Sequence, residues 1–344
     1  MVDAIGGYFG EEVLSGKFNA FIHEDGVLLN LGRRAFQYIY NSIPGPIEKI
    51  YMPQYTCPVM WHLLFWQGVM HQYDINRDLE IAEDIQLGEN DYIVVNNYFG
   101  IKDAYVARMA EKYGNHLIVD NAQALYAPWI PDTYAFYSPR KFFGVPDGGV
   151  AYTAFNSKPV VCNEQDDSSD RLQHLQLRKE QGAEAGFATY QLNENKLDHL
   201  PMMKMSEYTH TVLCGIDYES AKDKRRANYK ILHDALGAMN EMTLPEMDSF
   251  ECPMVYPFVC AKKTDMLREA LQKNRIYCAT YWPKLEDWNA DGSVERYFAH
   301  NIIPLPIDQR YGEKDMQRII EIVCESMANM PIGVDSQILR AGGA

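Results

Sequence analysis

The chain has 344 residues, a net charge of −15 and 12% aromatic residues. That length allows one large domain plus a smaller one, and the acidic balance argues against nucleic acid or an anionic membrane as the main partner. No run approaches the roughly 20 apolar residues of a membrane span, and the N-terminal stretch lacks the basic start and apolar core of a signal peptide.

Seven scattered cysteines without a C-x-x-C pair fit free thiols in a reducing compartment. The nine histidines show no H-x-x-x-H clustering, so no metal centre is expected. The expected location is the cytoplasm. Arg33, Arg34, Arg140, Lys141, Arg225 and Arg226 form locally basic clusters that could accept a small anionic substrate despite the overall charge.

Short apolar runs alternate with amphipathic stretches through the first half. Ile47 to Met52, Val69 to Tyr73, Asp91 to Asn96, His116 to Asp120, Thr133 to Tyr137 and Val150 to Thr153 read as strands. Arg34 to Ser42, Met60 to Gln67 and Lys102 to Lys112 carry helical spacing. This alternation predicts crossover connections and a mainly parallel, buried sheet, with ligands beyond the carboxyl ends of the strands. Asn163 to Asp170 is polar and acidic and reads as a surface loop or a disordered join. Tyr218 to Leu236 reads as one long helix. A small α+β unit then follows: strand Met254 to Cys260, helix Thr264 to Lys273, strand Ile276 to Tyr281 and helix Glu313 to Met327. The expected division is a large α/β domain over 1–235 with an N-terminal arm, a small C-terminal domain over 236–330, and a mobile tail over 331–344.

Two segments carry the chemistry. Leu117-Ile118-Val119-Asp120-Asn121-Ala122-Gln123 is an apolar run closing on an acid. Ser138-Pro139-Arg140-Lys141 is followed by Gly148-Gly149. A pyridoxal phosphate (PLP) site requires a lysine to capture the cofactor aldehyde and an acid to keep the pyridine nitrogen protonated. Alone, Ser-x-x-Lys fits a helix start with a surface lysine, and Asp120 fits a strand-end turn. Together they reverse the odds, because an acid closing an apolar strand is costly to bury without a cationic partner. Gly148-Gly149 suits a close backbone approach or positive φ.

Leu31-Gly32-Arg33-Arg34-Ala35-Phe36 precedes a helical run, and a glycine at a helix entry is a possible phosphate seat. Ser138 could add a hydroxyl to the same phosphate. Tyr55, in Pro53-Gln54-Tyr55-Thr56-Cys57, could stack on the pyridine ring or simply pack in the core.

These segments resemble the DegT/StrS-type nucleotide-sugar aminotransferases. Gly32 to Phe36 partly matches that family's phosphate segment, Pro53 to Thr56 its Pro-x-x-Thr segment, and Asn97-Tyr98-Phe99-Gly100 its His-x-Tyr-Gly turn. Asp120-Asn121-Ala122-Gln123 matches Asp-x-Ala-His/Gln, Ser138 to Lys141 the lysine segment, and Leu305-Pro306-Ile307-Asp308 the closing segment. Gly6 to Phe9, Tyr98 to Asp103, Gly182 to Gly186 and Pro306 to Tyr311 resemble most a branch found in polysaccharide gene clusters. The sequence departs from the family pattern at Arg33, at Cys57 in place of a ring-stacking aromatic, and in lacking the partner-subunit asparagine that reaches the phosphate.

The resemblance implies the fold-type I PLP-dependent transferase architecture and a homodimer. It implies amino transfer from a donor such as glutamate to a keto group on a nucleotide-linked sugar. Lys141 would hold the cofactor and move the proton, Asp120 would pair with the ring nitrogen, and Gln123 would bond the phenolic oxygen. Ser138 with the Gly32-Arg33 backbone would hold the phosphate. Two rivals stand beside this reading: another PLP reaction on the same fold, and a PLP-binding protein without turnover that acts in regulation or assembly. Family members that dehydrate sugars replace the lysine with histidine, so Lys141 speaks against dehydration.

Overall fold

The structure is a computed structural model that describes residues 3–12, 14, 16 and 19–328. In chain order its regular elements begin with β1 (Ile5–Gly6), β2 (Val27–Leu29), α1 (Gly32–Ser42), β3 (Lys49–Pro53), α2 (Pro58–Phe65) and β4 (Met70–Tyr73). Next come β5 (Asp91–Asn96), α3 (Asp103–Tyr113), β6 (Leu117–Asn121), β7 (Tyr134–Tyr137) and β8 (Gly149–Tyr152). A helical stretch holds α4 (Gln173–Gln181), α5 (Phe187–His199), α6 (Glu207–Cys214) and α7 (Tyr218–Leu236). The remainder is β9 (Tyr256–Val259), α8 (Thr264–Lys273), β10 (Ile276–Tyr277), α9 (Lys284–Trp288), α10 (Val294–Asn301), β11 (Ile302–Leu305) and α11 (Glu313–Ala328).

Seven strands form one sheet in the order β2-β8-β7-β6-β5-β3-β4. The run from β4 to β7 is parallel, and β8 is antiparallel to both of its neighbours. The central strands are buried on both faces, which explains their unbroken apolar runs. Alternate residues feed two separate cores. Tyr92, Val94, Ile118 and Phe136 pack with Phe36 and Ile39 of α1. Ile93, Val95, Val119 and Tyr137 pack with Val106 of α3, Leu232 of α7 and the C-terminal elements. The result is an α/β/α sandwich whose second layer is continuous with the smaller sheets.

Those smaller sheets are β9 with β11, antiparallel, and β1 with β10, parallel. The N-terminal arm is therefore tied to the C-terminal part of the chain by the Ile5–Ile276 register.

The structure corrects the sequence expectations in several places. The stretch from Ile276 toward Tyr281 is a strand only through Tyr277. β1, β2, β11 and the helices α4, α5, α6, α9 and α10 were not expected. The segment from Asn163 to Asp170 is a surface loop, the first of its two readings, and it is anchored at Asp166 rather than a disordered join. Asp166 is buried and pairs with the buried Arg171 at 2.6 Å, and Asn30 adds a hydrogen bond. The expected mobile tail, 331–344, lies outside the described residues. No helix among the described residues is long and apolar enough to cross a membrane.

Candidate active site

Asp120 is the last residue but one of β6, its backbone in register with Asn96 of β5 and Phe136 of β7. It shares the parity of Ile118, so it lies on the α1 side of the sheet, at the carboxyl end of the strand. Oδ1 accepts the Ala122 N–H at 2.9 Å, and no side chain bonds the carboxylate among the described residues. Burial pushes the Asp120 carboxyl up to about 6, with the Ala122 N–H and the neighbouring Lys141 ammonium pulling the other way. The two residues singled out in the sequence are thus electrostatic neighbours. A buried acid in this condition is stabilised by a further cation.

Lys141 lies in the single 3-10 turn Pro139–Lys141 that follows β7, where its N–H bonds the Ser138 carbonyl at 3.2 Å. Its ammonium donates to no acceptor among the described residues. The turn is held from behind. The Phe142 carbonyl accepts Arg225 Nη2 at 3.0 Å and Gln309 Nε2 at 2.8 Å. Arg225, fully buried, also bonds the Met254 carbonyl and the Gln309 side chain, and its guanidinium lies 4.6 Å over the Phe142 ring. Arg225 is therefore a clamp on the lysine turn and not a free cation for substrate. Sequence reasoning missed that role, as it did for Gln309.

Gln123 sits in the turn after β6 and is buried. Its Oε1 accepts the Phe99 N–H at 2.9 Å, while its Nε2 is buried with no acceptor. An orphaned buried amide donor carries a cost of about 1–3 kcal/mol. A ligand oxygen placed there would remove that cost.

Gly32 opens α1, and its residue at the helix entry, Leu31, offers no side-chain cap; the first turn holds no acid. The free N–H groups and the positive end of the helix dipole are left to an anion. A Cβ on Gly32 would lie 3.3 Å from Ser138 Cβ, so these residues line one small space. Gly148, at φ +126, and Gly149 bring the start of β8 against this helix entry. A Cβ on Gly149 would lie 2.3 Å from the Leu31 carbonyl, as the close approach expected of Gly148-Gly149 requires.

Two of the residues expected at the cofactor have partners within the protein. The Arg33 guanidinium pairs with Asp198 of α5 at 2.5 Å, while the Arg33 backbone, the part expected to hold the phosphate, lies in the first turn of α1. Tyr55 is 1% exposed, with Trp282 edge-on at 4.8 Å and Tyr98 and Phe298 close by. Packing, the second of the two roles weighed for Tyr55, is the one this environment supports. Arg140 pairs with Glu194 of α5 and keeps a buried Nε without an acceptor.

Two cavities lie elsewhere. One of ≈ 570 Å³ borders Phe143, Gln309 and Arg310, another of ≈ 470 Å³ borders Glu24, Lys204 and His210, and neither is lined by Asp120 or Lys141. Chemistry rather than cavity size locates the candidate site.

No protein-family profile and no curated protein matches the chain. Solved structures do. DesV of S. venezuelae, in complex with a ketimine intermediate, is 17% identical over 90% of this chain and 85% of its own, with a TM-score of 0.59. A DegT DnrJ EryC1 StrS aminotransferase from Brucella abortus is 16% identical over 87% and 85%, with a TM-score of 0.57. NtdA from Bacillus subtilis, with bound cofactor PMP, is 14% identical over 92% and 79%, with a TM-score of 0.60. The overall fold of this chain is similar to that of these aminotransferase structures, the fold-type I architecture.

Proposed function

We propose that this chain is a PLP-dependent aminotransferase. It would move an amino group from a donor such as glutamate to a keto group on a nucleotide-linked sugar, for surface polysaccharide synthesis. The observation that carries the reading is a buried Asp120 at the carboxyl edge of the sheet whose carboxylate feels the charge of Lys141 without bonding it. The unpaired Gln123 Nε2 beside that edge and the uncapped start of α1 suit the same cofactor.

When bound, PLP supplies an aldehyde that captures amines and a ring that withdraws electrons from the adjacent carbon. Asp120 would hold the proton on the ring nitrogen. Lys141 Nζ would hold the aldehyde at rest and, once displaced, take the proton from the donor carbon and return it as general acid. Gln123 Nε2 would donate to the phenolic oxygen. Ser138 and the Gly32-Arg33 backbone would fix the phosphate, and the Arg225–Gln309 clamp would keep the lysine turn in place.

The same reading includes the division into a large unit, 1–235, and a smaller one, 236–330, and a homodimer in the cytoplasm. All seven cysteines are free, in keeping with a reducing compartment. The test is the protein loaded with PLP and mixed with glutamate. Bleaching of the visible band with release of 2-oxoglutarate supports an aminotransferase. A band that ignores a panel of amino donors supports binding without turnover.

A further inference from the structure

Outside the candidate active site, three side chains with metal-ligating atoms meet. His210 and Cys214 stand one turn apart on α6, and Glu24 reaches them from the turn that precedes β2. Glu24 Oε2 lies 3.0 Å from His210 Nε2, and Cys214 Sγ lies 3.7 Å from the same nitrogen. All three donor atoms fall within 4.8 Å of one another. We propose that Glu24, His210 and Cys214 form a zinc-binding site.

The donor spacing is the main argument. With zinc–ligand bonds of about 2.0–2.3 Å, a tetrahedral site sets its nitrogen and oxygen donors about 3.4 Å apart and its nitrogen and sulfur donors about 3.6 Å apart. The observed separations differ from these by only a few tenths of an ångström. The donor types agree as well, since thiolate, imidazole and carboxylate together favour zinc over calcium or magnesium. The i, i+4 placement of His210 and Cys214 on one helix lets both side chains lie on one face. His210 and Cys214 are half-buried and Glu24 is exposed, so the fourth position faces solvent and takes water. Binding releases the thiol proton of Cys214 to solvent, leaving a thiolate on the metal.

An ion pair alone explains Glu24 and His210, but it gives no role to the Cys214 sulfur turned toward the same nitrogen. A zinc ion uses all three. It would also cross-link two regions of the fold. The segment from Asn19 to Glu24 is already joined to α6 by the Asn19 N–H to the Cys214 carbonyl at 2.8 Å. The other end of α6 is fastened to the lysine loop, where Asp147 bonds the Ser206 N–H at 2.8 Å and the Ser206 and Thr209 hydroxyls. The expectation of no metal centre rested on a search for paired histidines, and Glu24 is 186 residues from His210 in the chain.

The test uses the full chain, stripped with a chelator and titrated with cobalt(II) as a spectroscopic stand-in, then with zinc in competition. One equivalent of cobalt should give a near-ultraviolet thiolate charge-transfer band that zinc abolishes. Cys214→Ser should lose the band, and His210→Ala and Glu24→Gln should bind at least about tenfold more weakly. Cys162→Ser should behave as wild type. Saturating zinc should raise the thermal midpoint of wild type but not of Cys214→Ser. Far-ultraviolet circular dichroism of the metal-free variants separates lost ligands from lost fold. Absence of the band in wild type, or its persistence in Cys214→Ser, would overturn the proposal. Neither result depends on PLP binding or on transamination.

Discussion

Gln123 Oε1 accepts the Phe99 N–H at 2.9 Å, and this bond fixes which end of the amide is left to donate. Phe99 is held at φ 58 and ψ 10, a left-handed conformation that is costly for a bulky residue. The turn is over-determined by its neighbours. The Phe99 carbonyl accepts the Met254 N–H at 2.7 Å, and a Cβ on Gly100 would lie 2.6 Å from the Cys252 carbonyl. Gln123→Glu keeps the Phe99 bond, removes the donor and adds a negative charge. Affinity for PLP should fall at least about tenfold, roughly 1.4 kcal/mol, in a spectrophotometric titration. An unchanged affinity would remove Gln123 from the cofactor contacts.

Asp120 is held in a form that disfavours its own charge. Its carboxyl titrates at about 6 in the fold and at about 4 when unfolded, so folding takes up a proton between those values. The penalty is only about 0.5 kcal/mol at pH 4, grows as pH rises, and is complete above the folded value. In the cofactor-free protein, Asp120→Asn should therefore be more stable than wild type by about 2–3 kcal/mol at pH 8 and by only about 0.5 kcal/mol at pH 4. Urea denaturation at both values checks this. The same variant should bind PLP poorly, the stability–function exchange expected of a binding site.

Much of this arrangement was legible in the sequence. The strand from Asp91 to Asn96 and the helix from Tyr218 to Leu236 match the structure, because an unbroken apolar run and a long helical period each leave few alternatives. The acid at the end of β6 and the Gly-Gly pair could be read because both are costly without a special role. Helices α4 and α5 were not legible. They are polar along most of their length, and buried contacts such as Asn193 to His174 at 2.8 Å help stabilise them. Arg225 read as part of a locally basic cluster open to a small anionic substrate, and only the fold shows three acceptors around it. Tyr55 could not be decided from its neighbours in sequence, since Trp282, which covers it, comes from the far end of the chain.

The glycines at the start of α1 and β8 should separate steric from functional roles. Gly149→Ala drives a methyl into the Leu31 carbonyl and Gly32 nitrogen, both backbone. It should cost several kcal/mol, on the order of 3 or more, or prevent folding. Gly32→Ala meets the Ser138 Cβ at 3.3 Å, a tight contact relieved by a shift of a few tenths of an ångström, so its loss of thermal stability should be much smaller than that of Gly149→Ala while PLP affinity falls. Equal losses of stability in the two variants would contradict the assignment of Gly32 to the phosphate seat.

The clamp behind Lys141 gives a further test. Arg225→Met keeps the buried bulk but leaves the Met254 carbonyl without that partner and weakens the hold on the Phe142 carbonyl. The expected cost is about 3 kcal/mol in chemical denaturation. Gln309→Ala leaves Arg225 bonded to both carbonyls and should cost about 1 kcal/mol, with a larger proportional loss of turnover number than of substrate affinity. A purely structural Gln309 would leave turnover unchanged.

The central claim is that Lys141 carries the cofactor. Wild type and Lys141→Ala, each incubated with PLP, reduced with borohydride and digested, can be compared by peptide mass mapping. A pyridoxyl group on Lys141 in wild type, absent from every peptide of Lys141→Ala, is the predicted result. Labelling of another lysine, or none in wild type, would contradict the account.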